Sequence, residues 1–183
     1  MVSKLFIRYC GILLALCAPL AFAGDSANAD KGIGVTLNDA EVIQVLHVAN
    51  AAEIKAAQNA KTQAKSPKVK EFAEQMIKDH TAMDRKVKDL EQKLNLKPQD
   101  SALSRTLQAK ANAAIASLKP MSGEAFDEAY ILSQVSMHGD VKESIRDSLL
   151  PSAQNAELKA LVQEAAPKID MHLQHAERLQ EKI

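Results

Sequence analysis

The chain has 183 residues, with 23 basic against 23 acidic side chains, 46% hydrophobic and 3% aromatic residues, and no Trp. That length is enough for one domain with a substantial core. Balanced charge and scarce rings exclude the basic, ring-studded surfaces on which nucleic acids stack, and leave little for a sugar cleft.

Residues 1–23 read as a secretory signal peptide. Lys4 and Arg8 form the basic start, Gly11 to Leu20 the apolar stretch, and Ala21-Phe22-Ala23 the small-x-small cleavage pattern. The apolar run is shorter than the roughly 20 residues a membrane span needs. Leu16 ahead of Cys17 also argues against a lipidated cysteine. The sequence therefore predicts a periplasmic protein cleaved after Ala23, with no transmembrane segment in the mature chain. Cys10 and Cys17 leave with the peptide. The mature chain then has no thiol for a disulfide, a nucleophile or a Cys-ligated metal. Loss of Lys4 and Arg8 leaves 21 basic residues against 23 acidic ones.

Residues 24–37 are small and polar and read as a flexible leader. Residues 38–183 then carry almost only helical signals, and form one domain. Asn38 with Glu41 is a capping box opening a first helix over about 39–64. Its apolar or small face is Val42, Leu46, Ala49, Ala56 and Ala60, and Glu53 lies among them. Ser66-Pro67 opens a second helix. Its stripe is Val69, Phe72, Met76, His80, Met83, Val87, Leu90 and Leu94, with Pro98 beyond its end. A shorter third helix covers about 101–117. A fourth runs from Ser122 to about 149, with Phe126, Tyr130, Gln134, His138, Val141 and Ile145 on one side. Gly139 there either admits a close neighbour or marks a distortion. The last segment, about 153–182, contains Pro167, where a kink or a restart is expected. Its stripe then reads Ile169, His172, Leu173, Ala176 and Leu179, while His175 falls on an outer face with Lys168, Met171 and Lys182.

The stripes predict an all-α, antiparallel four-helix bundle with an additional short helix and a Pro-kinked C-terminal helix. Phe72, Met76, Phe126, Tyr130, Ile145, Ile169 and Leu179 are expected to meet in one core. The run Phe72 to His80 ending Met-x-x-Asp-His, then Phe126-Asp127-Glu128-Ala129-Tyr130, His138, and Pro167 followed by His172-Leu173, resembles the bacterial family called domain of unknown function 4142. The resemblance covers residues 39–181 and implies an exported, ferritin-like helical bundle. Its members are often labelled outer-membrane proteins, yet this chain shows no barrel-strand pattern.

Burying an ionisable group without a partner is costly, so His80, His138 and His172 on three separate stripes, with Glu53 on a fourth helix, mark the candidate site. Imidazoles and a carboxylate converging from separate helices suit zinc, copper or iron. They also suit a metal-free polar network in an interaction or stress-protective module, and the sequence leaves both open. Ferritin-like di-iron centres need Glu-x-x-His on two helices. Here Ile77 precedes His80 by three and Ile169 precedes His172 by three, so that centre is not expected. Asp79 points away from the His80 stripe, Asp127 serves to orient a histidine or cap a helix, and Met76 and Met83 read as core filling. No nucleophilic triad, phosphate loop or acid–base pair is legible, so binding is expected rather than catalysis.

Overall fold

The structure, a computed structural model, describes residues 35–183. The expected signal peptide, and the expected leader up to residue 34, lie outside the described residues. The helices are α1 (Asp39–Gln63), α2 (Pro67–Leu94), α3 (Ala102–Leu118), α4 (Gly123–Ser144), α5 (Leu150–Ser152) and α6 (Ala156–Gln180). A π-helical turn, Ile145–Leu149, joins α4 to α5 without a break.

Local chemistry explains most boundaries. The Asn38 side chain accepts from the Glu41 N–H, and the Glu41 carboxylate accepts from the Asn38 N–H, closing the expected box. Ser101 and Ser104 form a second such box at the start of α3. Asn95 ends α2 before Pro98 is reached, in the left-handed conformation (φ 50°) that Asn tolerates better than most side chains. Gly123, at φ 63°, occupies the same region where only Gly is unstrained.

Each end of the bundle is closed by a carboxylate from a distant helix. Ser66 makes no side-chain cap on α2. Asp127 of α4 does it instead, accepting from the Lys65 and Ser66 N–H groups at 2.9 and 2.7 Å. At the opposite end Asp39 accepts from the Gln154 and Asn155 N–H groups ahead of α6. These ties and the short links alternate the helix directions. α1 packs on α2, α2 on α6, α6 on α4 and α4 on α1, while α3 lies over α1 and α4. Among the described residues, no helix is long and apolar enough to cross a membrane.

Three expectations change. α6 runs through Pro167 with no restart. Pro167 and Gln163, the residue whose carbonyl loses its helical donor, are both exposed, so water can satisfy that oxygen. Residues 35–37 are tied down: the Val35 and Leu37 N–H groups donate to Ser148 and Ser152 Oγ, and Leu37 is buried. The core is two clusters rather than one. Phe72, Met76, Phe126, Tyr130 and Leu179 share one with the small face of α1. Ile145 and Ile169 belong to the other, with Val42, Leu46, Val87 and Leu158.

Candidate metal centre

The residues between the two apolar clusters are polar and buried: Asn50 and Glu53 on α1, His80 on α2, Gln134 and His138 on α4, and His172 on α6. Apolar spacing of three and four on each helix turns these side chains inward like their hydrophobic neighbours. The histidines meet. Their ring centroids are 5.8 Å (His80–His138), 5.3 Å (His80–His172) and 5.4 Å (His138–His172) apart. One nitrogen from each ring lies within 4.8 Å of the other two.

One nitrogen of each ring is already committed. His80 Nδ1–H donates to Asn50 Oδ1 at 2.9 Å, His138 Nδ1–H to the Gln134 carbonyl at 3.0 Å, and His172 Nε2–H to Asp79 Oδ2 at 2.9 Å. Those acceptors place the ring protons and leave lone pairs on His80 Nε2, His138 Nε2 and His172 Nδ1. All three are buried with no hydrogen-bond partner among the described residues. Buried polar atoms are nearly always satisfied, so three orphaned acceptors side by side are an unusual arrangement. It is an arrangement that could hold a cation: each ring is fixed from behind by an oxygen and keeps one buried nitrogen free.

Charge is tuned in the same sense. Burial pushes the His80 pKa well below its ordinary value, and the other two histidines push it further, with Asp79 opposing. Burial also lowers His172, against the pull of its Asp79 hydrogen bond. Neutral imidazole, the form with a free lone pair, is favoured in both. The two nearby carboxyls go opposite ways. Burial alone would raise Asp79, but hydrogen bonds from His172 and Gln75 outweigh it and hold the group below its ordinary value. Glu53 is fully enclosed, and burial raises its pKa despite His138 and Gln134.

Several expected roles change with this geometry. Asp79 is not turned away from the site: it anchors His172 from the flank of α2 that faces α6. Glu53 is beside the site, with Oε1 3.7 Å from His138 Nδ1, outside the cluster of three nitrogens. Neither of its oxygens has a hydrogen-bond partner among the described residues. Asp127 caps α2 and orients no histidine. His175 is half-buried with its ring edge-on to Phe72, centroids 5.1 Å apart. A side chain at Gly139 would meet nothing within 4 Å, so close approach is not its purpose. Asn50 was not foreseen, because an Asn on an Ala-rich face carries no ligand signature. The His80 ring facing α1 was the available clue. Met76 and Met83 are both core filling as expected, one in each apolar cluster, and Met83 also lines the cavity that holds the three histidines.

Fold and site together define an all-α helical bundle with three buried histidines that could hold a metal. The chain belongs to the family described as Domain of unknown function (DUF4142), whose model matches residues 24–179. Neither a curated protein nor a solved structure matches it.

Proposed function

We propose that this is an exported protein of the cell envelope whose bundle holds one transition-metal ion on His80 Nε2, His138 Nε2 and His172 Nδ1. The observation that carries the reading is the set of three orphaned ring nitrogens, each backed by an oxygen on its far side. A metal-free polar network would be expected to close on itself, and this one leaves its central atoms unpaired. Glu53 stands behind His138 rather than acting as a fourth ligand. Export to the periplasm rests on the basic start, apolar run and Ala21-Phe22-Ala23 of the N-terminal segment. The role is binding rather than turnover. Among the described residues no Ser, Thr or Cys lines the cavity that holds the histidines, and of its two carboxyls Asp79 is engaged by His172 and Glu53 is fully buried.

The test is metal content and thermal stability of untagged protein isolated from the periplasm without chelators. Near-stoichiometric metal is expected, and mass spectrometry should find Gly24 at the N-terminus. A ligand bound only by the folded state adds about 2.7 kcal/mol at a hundredfold excess over Kd. Wild-type protein should therefore melt higher with metal than with chelator. His80→Ala, His138→Ala and His172→Ala should each lose that shift, while His175→Ala keeps it. A metal-free isolate whose melting ignores added zinc, copper and iron would overturn the reading in favour of the structural network.

A further inference from the structure

The donor set leaves a question of which ion it suits. All three donors are imidazole nitrogens, and among the described residues no carboxylate oxygen belongs to the cluster. Asp79 is already spent on His172 and Glu53 sits behind His138. The remaining wall of the cavity is aliphatic in Leu46, Val141, Ile145 and Ile169, with one cationic residue, Lys168. One further wall residue carries a donor atom of a different kind. Met83 follows His80 by three residues on the same stripe of α2, is 7% exposed, and lines the cavity with the three histidines.

Two physical arguments converge on that methionine. The cost of moving an ion out of water grows with the square of its charge, so a doubly charged ion costs about four times a singly charged one of equal size. Donors with no charge of their own repay little of that difference, and the Lys168 cation in the wall adds to the cost of a second positive charge. A thioether is moreover a soft, uncharged donor that favours cuprous ion over zinc. Met76, one turn to the other side of His80, packs instead among Phe72 and Tyr130 and does not line the cavity, which makes it a natural control.

Resting on the metal-binding reading above, we propose that the site is selective for cuprous ion, with the Met83 thioether as its fourth donor. Full-length mature protein is titrated anaerobically with Cu(I) against a cuprous chelator of known affinity, and separately with Zn(II). Wild type should bind Cu(I) more tightly than Zn(II). Met83→Leu, which preserves volume and apolarity, should weaken Cu(I) binding at least tenfold and leave Zn(II) within about twofold. Met76→Leu should change neither. X-ray absorption of the Cu(I) form should show one sulfur neighbour in wild type and none in Met83→Leu. Tighter zinc than copper, or cuprous affinity and sulfur signal indifferent to Met83→Leu, would overturn the copper assignment while the metal site stands. Failure to bind either ion would overturn both, and a far-ultraviolet spectrum unchanged from wild type shows that a variant's loss is not misfolding.

Discussion

His47 and His80 sit on neighbouring helices and each reaches across to the other's helix, yet their surroundings differ in every respect. The two ring nitrogens of His47 lie 2.8 Å from Asp84 and 2.9 Å from Glu91 on α2, and the ring is partly exposed. Lys88 completes that surface group, 2.6 Å from Asp84. It is fully paired and can accept nothing more. His80 is buried, has one nitrogen on a neutral amide oxygen, and leaves the other facing two more rings in the same condition. A histidine surrounded by carboxylates on a wet surface is a linker between helices. One held from behind by a single acceptor, in a dry place, is available as a ligand.

The comparison can be broken at several points, the largest effect first. Asp79→Ala frees the His172 ring, and loss of such a supporting partner typically weakens metal affinity by ten- to a hundredfold. Calorimetric titration of the metal-free variant with metal should show that drop, and unchanged affinity would mean that His172 needs no anchor. Removing His47 should not touch metal affinity at all.

Acid separates the two sites next. In metal-free protein, His80 and His172 have folded pKa values below the ordinary 6.5, so the unfolded chain binds more protons in that range. Stability should be complete above about pH 6.5 and fall as pH drops below it. Glu53 has the reverse sign, because its raised folded pKa costs stability as pH rises above the ordinary 4.5. Glu53→Gln should accordingly melt higher than wild type at pH 8 in chelator, with the advantage shrinking toward pH 4. A variant that melts lower at pH 8 would show that the carboxylate is ionised and partnered.

The smallest effect belongs to the surface group. His47→Ala should cost on the order of 1 kcal/mol, since charge pairs that water still reaches contribute about that much. Added salt should erase most of it, as screening acts on exposed groups. Chemical denaturation at low and high salt measures both, and a salt-independent loss would place His47 in the packing rather than in an ion pair.

The sequence revealed more of the rings than of what holds them. His80, His138 and His172 were legible because period-3.6 stripes show which residues face inward, and the Asn38–Glu41 box was legible because both partners lie within one turn. Asp79 was misread because a stripe describes one direction, and α2 faces α6 as well as the core. A residue next to His80 is rotated about 100° around the helix, far enough to leave the stripe and still reach His172. Asp127 closing α2 and Asn50 holding His80 depend on helices 61 and 30 residues away meeting at the right height. No local pattern encodes such a meeting. The division of the core escaped for a related reason, since a stripe shows which residues are buried but not that a polar layer will separate them.

The π-helical turn at Ile145–Leu149 has a consequence for how this chain tolerates insertion and deletion. Such a turn holds one residue more than the α-helix it interrupts, and one residue corresponds to about 100° of rotation. Ser148 within it and everything after it, including Ser152, face a direction that an unbroken α4 would not give. Those two hydroxyls grip the backbone of Val35 and Leu37. A one-residue deletion within 145–149 would therefore leave His138 where it is, yet turn the downstream helix and release the segment before α1. Length is free to vary in the exposed loops of this bundle, but a single codon lost from this turn would be read more than a hundred residues earlier, in the segment that leads into α1.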